Sequence, residues 1–155
     1  MNLFESTSVR WWSSEKAVTC NGTAVARLRF GNWKTTGVIT MDGNDYEVVG
    51  DSIFGGVLSL RSKDAVLCQT RIRGFWNRSA EFSLDGVAYR VKWLGWSSRA
   101  VLEKDGQEIG AVEPGELFSF GVRASFPESL PTLVSVFVLW LVAYKRKQES
   151  SAAAG

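Results

Sequence analysis

Residues Leu130 to Tyr144 read LPTLVSVFVLWLVAY, and only Thr132 and Ser135 within them are polar. A helix that is apolar on every face has no side to give to solvent, so it must be surrounded, by protein or by lipid. Whatever precedes this segment must either wrap it or leave it to a bilayer. At about 1.5 Å per residue, its roughly 14 helical residues span about 21 Å. A bilayer core is about 30 Å thick and asks for about 20 residues. The length therefore favours a buried core helix. A membrane placement stands as the alternative: Trp140, Tyr144 and the basic triplet Lys145, Arg146 and Lys147 match an interfacial belt beside a positive flank. Snorkelling and local thinning would let so short a span cross. On that alternative the chain is a single-pass, tail-anchored protein with a transmembrane helix at 130–144 and a cytosolic β domain.

The residues before the segment read as strands. Asn21-Gly22, Asp42-Gly43, Asp85-Gly86 and Asp105-Gly106 each separate two strand-like runs. Asn-Gly and Asp-Gly suit the positive φ angles of tight hairpins. Alternation agrees: in Tyr89-Arg90-Val91-Lys92-Trp93 the apolar and basic residues take opposite faces. This pattern predicts about twelve strands, near residues 7–13, 16–20, 24–30, 36–41, 45–50, 53–61, 65–72, 79–84, 88–94, 99–103, 108–113 and 117–123. Pro131 suits the first turn of a helix over about 131–146, with Ser129 or Leu130 as its cap. Residues 148–155 are small and polar and are expected to be a disordered tail.

The strand region repeats itself. Asp42, Gly43, Tyr46 and Val48 recur as Asp85, Gly86, Tyr89 and Val91, and Trp12-Ser13-Ser14 has a counterpart in Trp96-Ser97-Ser98. Trp33 and Trp76 fall at equivalent places, which favours packing over base stacking. Each unit is a four-stranded meander that cannot bury its apolar face alone, so the units must close on each other. Twelve strands with short turns have two edges to hide, and closure into a barrel removes them. A barrel that wide exceeds what side chains alone can fill, and the apolar segment is about as long as a short barrel is deep. The expected fold is mainly β: one domain over residues 1–147, a closed antiparallel barrel enclosing a C-terminal hydrophobic helix.

With the meanders, the strand number and the terminal LPTLVSVFVLWLVAYKRK in view, the chain resembles the tubby C-terminal fold. That fold is shared by tubby proteins, phospholipid scramblases and plant LURP-one-related proteins, and the resemblance spans about Ser8 to Lys147. It is architectural: the acidic calcium loop and the cysteine cluster of scramblases have no counterpart here. The phosphoinositide-binding motif of tubby proteins has no residue-by-residue match either. The resemblance implies a binding module associated with lipid, and no particular activity.

The composition narrows the chemistry. The chain has no histidine and two cysteines, Cys20 and Cys68, which removes histidine-based triads and ordinary structural zinc sites. No phosphate-binding loop is present, and Glu113 and Glu116 flank a Pro-Gly turn as solvated acids. No enzyme activity, cofactor or metal is expected. Two free thiols and the lack of a secretory signal point to the cytoplasm, peripheral to a membrane at most. A net charge of +2 and the lack of an RNP or OB signature argue against nucleic acid.

The densest mix of arginine and aromatic residues is RIRGFWNRS, where Arg71, Arg73 and Arg78 surround Phe75 and Trp76. Guanidinium forks match phosphate, and exposed aromatics enter lipid interfaces. The plainer reading makes Phe75 and Trp76 core and the arginines a solvated edge. Lys145, Arg146 and Lys147 either cap the helix against its dipole or stand at the barrel mouth, where they would attract acidic lipid. The candidate headgroup contacts are therefore Arg71, Arg73, Arg78, Lys145, Arg146 and Lys147, with Phe75 and Trp76 as membrane-contacting aromatics. The partner they imply is an acidic phospholipid surface, phosphoinositides included. A structural or protein-interaction domain remains the further alternative.

Overall fold

A computed structural model describes residues 1–8, 15–31, 37–50, 56–74, 77–95, 99–114 and 121–154. Among them run thirteen strands and one helix in the order β1 (Asn2–Ser8), β2 (Glu15–Cys20), β3 (Thr23–Phe30), β4 (Gly37–Met41), β5 (Asn44–Gly50), β6 (Leu58–Ser62), β7 (Ala65–Thr70), β8 (Ile72–Arg73), β9 (Ser79–Leu84), β10 (Val87–Trp93), β11 (Ala100–Lys104), β12 (Gln107–Pro114), β13 (Val122–Phe126) and α1 (Thr132–Ala154). The strands form one antiparallel sheet in the order β7-β6-β5-β4-β3-β2-β1-β13-β12-β11-β10-β9-β8, curled into a nearly closed barrel.

Period-2 patterning builds the wall. Along β10, Tyr89, Val91 and Trp93 face inward while Ala88, Arg90 and Lys92 face solvent. The repeated turns behave as their residues dictate: Asp42 and Gly43 take φ of 52° and 74°, and Asp85 and Gly86 take 51° and 78°. Both central residues of such a hairpin must sit at positive φ, which Asp tolerates and Gly accepts without cost.

The repeat is threefold in the structure. The pairs β2–β3, β6–β7 and β11–β12 each shift register, at Val18/Thr19, Leu60/Arg61 and Leu102/Glu103, just before their turns. Two units are continuous, β4 to β7 and β9 to β12. The third combines β13 with β1, β2 and β3, so that the two ends of the strand region complete one unit where Asn2 pairs with Phe126.

The helix fills the barrel. Val134 through Ala143 are all buried, so no face of that stretch meets solvent. Phe137 meets Phe82 of β9 edge-on at 5.1 Å, and Trp140 stacks on Phe30 of β3 at 5.6 Å. Among the described residues no helix is long and apolar enough to cross a membrane.

Several boundaries differ from the sequence reading. Residues 9–13 of the expected strand 7–13 lie outside the described residues, and the first described strand is Asn2–Ser8. It hides in the sequence because Ser6 is an inward position: its hydroxyl accepts a hydrogen bond from the Val122 N–H at 3.2 Å. The expected strand 65–72 divides at Arg71, because β7 pairs with β6 while β8 pairs with β9. The last described strand is Val122–Phe126, and residues 117–120 of the expected strand 117–123 lie outside the described residues. The Pro131 carbonyl accepts the first helical bond, from the Ser135 N–H at 3.2 Å, so Pro131 itself stands at the cap position expected for Ser129 or Leu130. At the other end the helix continues to Ala154 through residues assigned to a disordered tail. Lys, Gln, Glu and Ala are strong helix formers, and they extend a helix already nucleated in the core.

A basic rim as the candidate functional site

In a meander, successive connections fall at alternate ends, and here they sort by length. Five two-residue turns, Asn21-Gly22, Asp42-Gly43, Lys63-Asp64, Asp85-Gly86 and Asp105-Gly106, close one end. All ten of these residues are exposed, and four of them are aspartates. The longer connections fall at the opposite end. The helix starts at the turn end, after β13, and its C-terminus leaves at the loop end.

The basic residues singled out in the sequence belong to the loop end, but not as one cluster. Arg73 pairs with Ser79, and Arg71 lies two residues back on the same outward face; both are exposed. Ile72 between them pairs with Ala80, which is fully buried. Arg78 is half-buried; its Nε is enclosed without a hydrogen bond, and its carbonyl accepts from the Trp93 N–H at 2.9 Å. Phe75 and Trp76 lie outside the described residues, as do Trp33 and the side chains of Arg146 and Lys147.

Lys145 is a correction. It is only 2% exposed, and its ammonium sits 5.4 Å from the Trp93 ring centroid. Position 145 lies one helical turn beyond Leu141, on a face that still points at the wall. Its charge therefore meets an aromatic face within the protein rather than a headgroup.

Two residues of the rim were missed in the sequence. Leu94, 50% exposed, follows the end of β10, and its N–H donates to the Arg99 carbonyl at 3.0 Å. That bond holds Arg99, exposed at the start of β11, beside it. Because β8, β9, β10 and β11 are consecutive in the sheet, their loop-end residues form one sector. Across residues 71–74, 77–79, 93–95 and 99–100 the sector holds four arginines, one half-exposed leucine and no acid. Leu94 and Arg99 are 16 or more residues from the nearest arginine of the RIRGFWNRS segment, so only strand pairing brings them together.

Among the described residues, no group of three acid or cysteine side chains is placed to hold a metal ion. Cys20 and Cys68 are both free thiols. Burial pushes the Cys68 thiol up to about 12, which leaves it protonated and unreactive at neutral pH. Comparison with protein-family models, with characterised proteins and with solved structures finds no match to this chain.

Proposed function

We propose that this chain is a non-enzymatic, tubby-like binding module that attaches peripherally to acidic phospholipid through the loop end of its barrel. The observation that carries the reading is the rim sector, where Arg71, Arg73, Arg78 and Arg99 share the loop-end edge of consecutive strands with the half-exposed Leu94, with no acid in the segments they occupy. Guanidinium groups bind phosphate by paired hydrogen bonds, and a leucine among them has an apolar environment to enter. The polarity of the barrel supports the same orientation, because the four turn aspartates lie at the far end. The tail-anchored alternative needs the apolar surface of residues 134–143, which here lies against the barrel wall.

At about 1 kcal/mol per basic residue near an acidic surface, four arginines support weak, salt-sensitive attachment. Sedimentation with vesicles of phosphatidylcholine alone, with phosphatidylserine, and with a phosphoinositide tests the reading. Binding is expected to both acidic compositions at low ionic strength, with loss at high salt and loss in an Arg71→Glu/Arg73→Glu/Arg99→Glu variant. A protein that ignores acidic vesicles at low ionic strength overturns it.

A further inference from the structure

Among the described residues, the barrel wall has one place where two strands run side by side without a ladder. β8 joins β9 through Ile72–Ala80 and Arg73–Ser79 only. Nearer the turn end, β7 lies beside β9, and no ladder or other backbone hydrogen bond links the two among the described residues. The main-chain groups that a ladder would have used there must find other partners. β7 also lacks the usual protections of an edge. Ala65–Thr70 reads AVLCQT, with no charge and no proline, and Val66 is 46% exposed.

A groove of about 540 Å³ lies across the outer wall beside this seam. Its lining includes Gln69 from β7, Glu81 and Ser83 from β9, Arg90 from β10, and Glu103 and Asp105 at the end of β11. Three carboxylates face one guanidinium in the lining, and Lys92 Nζ lies 3.9 Å from Glu103 Oε2, which leaves a formal charge of −1. Arg90 is already engaged: its Nε donates to Glu81 Oε1 at 2.8 Å, and its Nη1 lies 4.0 Å from Glu103 Oε1. The Tyr89 hydroxyl, also in the lining, titrates high, first from burial and then from the charges of Asp85 and Asp105. The groove is therefore negative as well as bordered by unladdered backbone.

We propose that this seam is a docking edge for an extended, basic peptide segment of another protein, which adds as a strand to β7 and lays its basic side chains over Glu81, Glu103 and Asp105. Main-chain bonds to the edge supply the affinity, and alternate side chains supply the selection. Along an added strand every second side chain faces the same way, so a sequence alternating basic and β-branched residues fits. Adding the strand separates β7 from β9 by about one strand spacing, ~4.8 Å, and no ladder beyond Ala80 resists that. Asp64 and Asp85, exposed on the turns that end the seam, draw a basic segment from that side. A second copy offering its own β7 brings a neutral strand with no charge match. The proposal uses none of the rim arginines and stands independently of the lipid reading.

Titration of the intact protein with a blocked hexapeptide of alternating arginine and valine, followed by backbone amide NMR, tests it. Saturable binding is expected, with shifts and slowed exchange at residues 65–70 and 81–84. The glutamate–valine peptide should bind at least about tenfold more weakly, and so should the arginine peptide to a Glu103→Gln/Asp105→Asn variant. Asn at 105 keeps the left-handed turn accessible. Methylating alternate backbone nitrogens of the peptide, in each of the two phases, separates strand addition from bare charge attraction: one phase must abolish binding. No binding, equal binding by both methylated peptides, or shifts confined to the loop end each overturn the proposal. Self-association of the protein alone through residues 65–70 overturns it in favour of a second copy.

Discussion

The two ends of the barrel are built differently, although the same strands make both. At the turn end, five two-residue hairpins cross from strand to strand, and four aspartates stand exposed on them. At the loop end the connections are longer, the helix emerges, and four arginines share a sector with Leu94. A tight hairpin leaves no residues to spare, so its composition answers to backbone geometry. A longer connection is free of that demand and can carry recognition. The difference teaches that, among the described residues, the turn aspartates and the sector arginines stand at opposite ends of the barrel, which a net charge of +2 conceals.

The comparison depends first on the helix being enclosed, since it defines which end is which. Val138→Asp or Leu141→Asp places an unpaired charge at a fully buried position, and either should cost about 4 kcal/mol or more. Chemical denaturation checks this; wild-type stability in both variants would mean the helix is not core.

Glycines at the two ends give the next contrast. A Cβ on Gly37, where β4 leaves the loop end, would collide with the Arg29 carbonyl oxygen and come 2.7 Å from Trp140 Nε1. Gly37→Ala should therefore destabilise by about 2 kcal/mol through overpacking against the helix. A Cβ on Gly43 meets nothing within 4 Å, but its φ is +74°, so Gly43→Ala should cost only about 1 kcal/mol of backbone strain. Equal losses, measured by thermal unfolding, would erase the distinction between a packed end and a merely well-turned one.

Alkaline pH probes the interior that both ends enclose. Burial raises the Cys68 thiol from 9.0 to about 12, so above pH 9 the unfolded chain releases a proton that the folded chain keeps. Stability must then fall as pH rises from about 9 toward 12, approaching about 1.4 kcal/mol per pH unit from this group. Tyr89 and Tyr144, also raised by burial, act in the same direction. Cys68→Ala should flatten the decline between pH 9 and 10; an unchanged slope in denaturant midpoints would show that Cys68 is not the source.

Smallest of all should be the effect of the rim on folding. Arg71→Glu, Arg73→Glu and Arg99→Glu change exposed residues, and each should alter stability by about 0.5 kcal/mol or less. A large loss of stability would mean that the loop end is structural rather than a recognition surface.

Much of the architecture was legible in the chain. Alternation and turn residues located most strands, because a half-buried sheet imposes a period of two. The all-apolar stretch announced the plug, because no solvent face was left on it. β1 escaped because its inward position 6 is a serine bonded to the Val122 backbone, a partner on the far side of the sequence. The split of 65–72 at Arg71 escaped because pairing partners change there while composition does not. The site was legible in half: Arg71 and Arg73 were named and are exposed, whereas Lys145 was named and is buried under the wall at Trp93.

Sequence alone determined a β wall followed by a helix that must be surrounded on every face, because strand period and helix polarity are local properties set by residue order. The tertiary structure decided the rest: that the two ends of the strand region meet in one repeat unit, that Leu94 and Arg99 join the rim arginines, and that β7 and β9 lie together unladdered. Each of these depends on which strands become neighbours. Neighbours are chosen by how the whole sheet closes over its core, and no window of sequence contains that choice.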